Sequence, residues 1–321
     1  MTAVELRPLS LGELLDRTFG LYRQHLWLFA GIMALPAMVW YGFAFIFPGP
    51  ENPLEGLFGP SGPPGPVRVV STGDALVNLA ILYAYVALYL ASYALAMGAG
   101  TFAVSEVQLG RSATIGGSYR QAAGRVGGLL DLFFSVGLRV VGCVFLSTIL
   151  MTVTVLALPR GWRDEVLFLT LVGLLVFALG AGLTIVLALG YAVALPAMLL
   201  EKTSARQAMK RSWAFTKGQR GRVFLIVALA VVIGYVAAIV FQGPFWVAML
   251  YSRQDSLTVE VLGHLSWVAG VVAQALSGPL LVIGLVLLYF DLRVRKEGFD
   301  LQVMIDSLQP AQSRGRAPAV S

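Results

Sequence analysis

The chain has 321 residues, 58% hydrophobic and 12% charged, with a mean hydropathy of +0.80. A soluble domain carries about 25% charged residues, and one aqueous core cannot enclose this much apolar surface because area falls too slowly with size. An ordinary water-soluble protein is therefore excluded; one cysteine, Cys143, rules out an intramolecular disulfide, and with only His25 and His264 beside it there is no basis for a metal site or bound cofactor.

The first 25 residues hold Glu5, Arg7, Glu13, Asp16, Arg17 and Arg23 and no continuous apolar stretch, so they do not form a cleavable signal peptide. Within them Leu11, Leu14, Leu15, Thr18, Phe19 and Tyr22 recur at helical spacing on one face. Ser10 and Glu13 have the spacing of a capping box. The first charge-free run, 26–50, is long enough to cross a bilayer as a helix, which takes about 20 apolar residues. Between 48 and 74 come seven of the fifteen prolines, which predicts a flexible linker-like loop rather than helix or sheet.

A second run, 75–105, is followed by a second amphipathic set at the same offsets: Ile115, Ser118, Tyr119, Ala122, Ala123 and Val126. Here Thr114 is followed three residues later by Gly117, so the reciprocal cap is missing. The third run, 140–159, extends back to Val126 with Asp131 and Arg139 inside it, and the fourth is 166–200. Ala205, Ala208, Met209, Ser212, Trp213 and Thr216 repeat the template once more, behind a Ser204–Gln207 cap. Runs at 223–252 and 261–290 complete six spans.

The predicted fold is all-α and polytopic, with six transmembrane helices in three tandem units. Each unit is an interfacial amphipathic helix followed by a transmembrane hairpin, at about 8–104, 112–200 and 203–290. One membrane domain, 1–308, is expected, with a C-terminal motif at 289–308 and a disordered tail at 309–321. Of the 23 Lys and Arg, 18 fall on the side shared by both termini, four (Arg68, Arg160, Arg163 and Arg253) fall opposite, and Arg139 lies within a span. The basic side is expected to be cytoplasmic. Trp40, Trp162, Trp246 and Trp267 then fall near the outer interface, and Trp27 and Trp213 near the inner one.

Three sets of polar residues stand out. Arg139 lies about 20 Å into its span at 1.5 Å per residue, where a central Arg costs on the order of 3 kcal/mol and calls for a partner. Asp131 and Ser135 precede it on one broad face. The set reads as structural pairing, as an anion or lipid-headgroup site inside the bundle, or as an interfacial Arg placed too deep by the assumed start of the span. Lys202, Arg206, Lys210, Arg211, Lys217, Arg220 and Arg222 form a basic cluster that serves both as topology signal and as contact for anionic phospholipid; held between two spans, it is not a nucleic-acid surface. After the last span Asp291 and Arg293, with Arg295, Lys296 and Glu297, follow Tyr289-Phe290; Phe299, Val303 and Ile305 continue an amphipathic pattern. This motif is expected to dock against Glu13, Asp16 and Arg17 of the first amphipathic helix or Lys210 and Arg211 of the third.

Arg7-Pro8-Leu9-Ser10-Leu11-Gly12-Glu13-Leu14-Leu15-Asp16-Arg17 resembles the opening of the glycerophosphoryl diester phosphodiesterase membrane-domain-like family. So do Ala208–Gly218 (AMKRSWAFTKG) and Tyr289–Asp300 (YFDLRVRKEGFD), the latter being the most specific. The resemblance extends over essentially the whole chain and implies a multi-pass protein of a prokaryotic plasma membrane. In relatives of this family the membrane module precedes a soluble phosphodiesterase domain. With only about 20 residues after the motif, the catalytic domain is expected to be absent, and the resemblance carries over no catalytic residue. No Gly-x-Ser-x-Gly elbow, Walker A loop or His-Glu-x-x-His occurs. The expectation is a non-enzymatic scaffold or regulatory module for a membrane or soluble protein partner; the alternative is a transporter or lipid translocator with a site near Arg139.

Overall fold

The computed structural model describes residues 9–46, 72–156, 163–252 and 257–298. Arg7, the proline-rich stretch through residue 71, Arg160, Trp162, Arg253 and everything after Gly298, with Phe299, Val303, Ile305 and the 309–321 tail, lie outside the described residues. Those described are helical apart from short connections: α1 (Leu11–Gln24), α2 (Leu26–Ile46), α3 (Thr72–Gln108), α4 (Ile115–Ala123), α5 (Val126–Leu156), α6 (Arg163–Tyr191), α7 (Ala194–Leu200), α8 (Ala205–Thr216), α9 (Arg220–Tyr251) and α10 (Leu257–Glu297).

Five of these, α3, α5, α6, α9 and α10, are long and apolar enough to cross a membrane, and α1 with α2 forms a sixth candidate bent by 87°. The chain is a multi-pass membrane protein. Lipid selects this structure because it offers no hydrogen bonds to an open backbone, whereas a helix satisfies its own. It also explains outward-facing side chains that water would expel, such as Phe134, Leu138 and Phe145 on α5 and Ile239 and Val240 on α9, all more than 60% exposed.

The short helices carry the local signals read from the sequence. Ser10 N donates to Glu13 Oε2 (2.7 Å) and Glu13 N to Ser10 Oγ (3.2 Å), which closes the cap of α1. Ser204 and Gln207 close the same box on α8. On α4 Gly117 N donates to Thr114 Oγ1 and nothing returns, because Gly117 has no side chain. Each full cap contributes about 1 kcal/mol. The buried residues sharpen the sequence pattern. In all three helices the positions three and seven after the first template residue are enclosed: Leu14 and Thr18, Ser118 and Ala122, Ala208 and Ser212. Phe19 and Ala123, one position further on, are exposed. The order short–long–long thus occurs three times along the chain, with α7 as an extra turn before the third.

The chain divides into two compact units, one of residues 1–18, 127–226 and 284–321 and the other of 19–126 and 227–283. In the second, α2 packs on α3, and α3 on α4. Phe29, Ile32, Met33 and Ala37 of α2 are buried, and so are the small residues Ala96, Ala99 and Ala103 of α3; small residues let membrane helices approach closely, where van der Waals contact replaces the hydrophobic drive. Tyr119 Oη donates to Ile32 O (2.6 Å), tying α4 to α2. Burial pushes the Tyr119 phenol up to about 12.

In the first unit α8 packs on α6 and α7. Gly190, next to the end of α6, is what makes this possible. A Cβ there would enter the Trp213 ring, and without one the indole lies on bare backbone. Its carbonyl then accepts from Ser212 Oγ (2.8 Å) and Thr216 Oγ1 (3.3 Å). The core of this unit also takes in Leu129, Val193, Val223, Leu288, Tyr289 and Leu292.

Candidate functional site

The densest polar structure in the first unit gathers around Asp291, whose side chain is 0% exposed. A carboxylate so enclosed must be matched by donors, and three elements supply them. Leu9 N donates to Oδ1 (2.7 Å), from the residue that leads into the α1 cap. Arg295, one turn along α10, donates from Nε to both oxygens (2.9 and 3.1 Å). Arg222, in the first turn of α9, forms an ion pair with Oδ2 at 3.1 Å. Both guanidiniums then turn to Leu9 O, Arg222 at 2.7 Å and Arg295 at 2.5 Å. The main chain of one residue is thus clamped from both of its polar groups.

A second cluster joins α7, α8 and α10. Arg211 pairs with Glu201 and, at 2.6 Å, with Glu297. Tyr289 Oη donates to Glu201 Oε1 (2.6 Å), and Arg293 donates to Glu297 Oε2 (3.2 Å). The Glu201 carboxylate, hydrogen-bonded to Arg211, raises that guanidinium further above its ordinary value, and Glu297 adds to the effect. The Phe215 ring lies beneath Arg211, 5.2 Å from its guanidinium. Lys296 donates to Ala214 O and to Lys217 O (3.1 Å), satisfying carbonyls at the C-terminal end of α8.

The predicted docking residues therefore separate. Asp291 reaches the backbone just before α1, and Glu297, with Arg293 on its other side, reaches Arg211 of α8. Glu13 is engaged in the cap of its own helix, and Asp16 is exposed while Arg17 is half-buried. Within the basic cluster, Arg211 and Arg222 are bound to carboxylates, whereas Lys202, Arg206, Lys210 and Lys217 are exposed. Arg220 stacks on Trp213, its guanidinium 4.6 Å from the ring centre. Glu201 was not singled out by the sequence reading, and Glu297 was named there only as a member of the C-terminal motif, without its partner Arg211. Lone acids far apart in the chain carry no local signal of a shared partner.

Asp131, Ser135 and Arg139 lie together on α5. Arg139 donates to Ser135 O (2.5 Å), and Ser135 Oγ donates to Asp131 Oδ1 (3.3 Å). Ser135 thus bridges two charges that are eight residues apart, and both charged residues are exposed on the helix. The second unit holds a polar group the sequence reading passed over because it contains no ionisable pair. Buried Gln242 hydrogen-bonds Tyr41, and Gln274 hydrogen-bonds Tyr89, beside a Trp40–Tyr89 contact of 4.8 Å.

No curated protein and no solved structure matches the chain. A family model does, that of the membrane domain of glycerophosphoryl diester phosphodiesterase, over residues 138–298. That stretch takes in Arg139, Glu201, Arg211, Arg222, Asp291 and Glu297; the N-terminal motif at 7–17 precedes it. With half of its length matched, the chain belongs to the family of glycerophosphoryl diester phosphodiesterase membrane domains.

Proposed function

We propose that the chain is a non-enzymatic membrane module that scaffolds or regulates a partner protein, with its basic side and both termini in the cytoplasm. The observation carrying this reading is the exposed charge on α5. Asp131 and Arg139 face outward on a span running from Val126 to Val153, Arg139 near its middle. Their bonds through Ser135 satisfy only part of what each can make, since a guanidinium has five donors. Left against hydrocarbon, such an Arg costs on the order of 3 kcal/mol; a neighbouring transmembrane segment bearing a carboxylate or amide removes that cost. A position on an open helix face suits a protein neighbour better than a conduit, which would enclose the charge.

The test places a photo-crosslinking amino acid at Leu138, adjacent to Arg139 and 64% exposed, in the full chain in its native membrane. A discrete protein adduct is expected, and it should be lost in the Arg139→Leu variant. Adducts to lipid alone, or protein adducts indifferent to Arg139, overturn the reading.

A further inference from the structure

The seven cations between 202 and 222 are not one diffuse patch. Arg211 and Arg222 are neutralised by Glu201, Glu297 and Asp291. Three others, Lys210, Lys217 and Arg220, line an open pocket of about 640 Å³ together with Trp213, Ala214, Gly218 and Gly221. No carboxylate lines this pocket, and no described carboxylate pairs with any of the three cations. Like charges sharing one concavity raise its positive potential and so favour an anionic ligand there.

The pocket is built rather than accidental. Lys296 holds the carbonyls of Ala214 and Lys217, fixing the turn that follows α8. Gly218 makes that turn at φ +83°, a left-handed conformation that a side chain would strain. Arg220 is immobilised against the Trp213 indole, and its buried Nε has no hydrogen-bond partner among the described residues. Added side chains at Gly218 and Gly221 would meet nothing within 4 Å, so the backbone there is open to a ligand. Arg220 and Gly221, which line the pocket, belong to the opening turn of α9, where main-chain N–H groups have no intrahelical acceptor.

We propose that this pocket binds a phosphate group, held by Lys210, Lys217 and Arg220 at the foot of the α9 span. Trp213 forms the amphipathic wall that an acyl-bearing headgroup would use at a membrane interface. The site is independent of the α5 face and stands or falls separately from it.

The test uses the full chain in nanodiscs of phosphatidylcholine, alone or doped with phosphatidic acid, with retained anionic lipid counted by native mass spectrometry. Lys210→Gln with Lys217→Gln is compared with Lys202→Gln with Arg206→Gln, which removes the same charge outside the pocket. Loss of roughly fivefold in affinity per pocket cation is expected, with little change in the control pair and retention in Lys217→Arg. Inorganic phosphate is added in a second arm. Displacement of the lipid by millimolar phosphate assigns the site to the phosphate group itself, and displacement only by lipid assigns it to the whole headgroup; either supports the proposal. Equal losses in the two double variants, or no retained anionic lipid together with no phosphate binding, overturn it.

Discussion

Replacing Asp291 by Ala is the most informative perturbation of the first unit. The carboxylate is fully enclosed and receives Leu9 N at 2.7 Å, Arg295 Nε at 2.9 Å and Arg222 at 3.1 Å. Truncation leaves two guanidiniums converging on a single acceptor, Leu9 O, and an N–H with no partner. Removing one member of a buried ion pair costs about 3–5 kcal/mol because the survivor stays charged and desolvated. Arg222 and Arg295 keep some solvent, with side-chain exposures of 18% and 32%, so the lower end, about 3 kcal/mol, applies. The topology signal is untouched, since it is set by Lys and Arg. Equilibrium unfolding of the purified chain in mixed micelles, followed by tryptophan fluorescence, measures the loss. Arg293→Ala is the control: its pair with Glu297 is partly exposed, and about 0–1 kcal/mol is expected. Removing Arg222 together with Asp291 should restore about 1 kcal/mol or more relative to the sum of the single losses, because the stranded charge goes too. A loss under about 0.5 kcal/mol in Asp291→Ala would refute the argument that this carboxylate holds the N-terminal segment.

Gly190→Ala should cost about 1–3 kcal/mol by driving a methyl group into the Trp213 ring; a shifted tryptophan emission in the folded state accompanies it if the ring is displaced. Tyr119 gives a pH signature. Its phenol titrates near 12 when folded against an ordinary 10.0, so the neutral form stabilises the fold. That contribution is complete below pH 10 and is lost as pH rises through 12. Tyr119→Phe should be less stable than the parent at pH 8, lacking the bond to Ile32 O, and the gap should narrow in unfolding experiments between pH 10 and 12.

The spans were legible because lipid imposes one requirement, about 20 apolar residues in a helix, and 75–105 and 223–252 meet it without a charge. The short helices were legible through period and caps, and Ser10–Glu13 formed as its spacing predicted. What escaped was distance. Seven cations between 202 and 222 look alike in the sequence, and only packing distinguishes Arg211 and Arg222, bound to carboxylates, from the pocket-lining Lys210, Lys217 and Arg220. Leu9 escaped for a different reason: it meets the three charges through its N–H and C=O, and nearly every residue has those. The 87° bend between α1 and α2 was implicit in reading an interfacial helix ahead of a span, but no loop marks it, since His25 continues the hydrogen-bond pattern into α2.

That clamp on Leu9 has a consequence for what the N-terminal segment can be. Because Asp291, Arg222 and Arg295 grip backbone atoms, these contacts do not depend on the side chain at position 9 yet are strict about its amide. Alanine or serine there should be accepted, whereas proline, lacking the N–H, should release the segment. The specificity of the attachment is therefore encoded in the three charges that receive the segment rather than in the segment's own side chains. The segment is free to change its residue at this point so long as its main chain can still donate and accept.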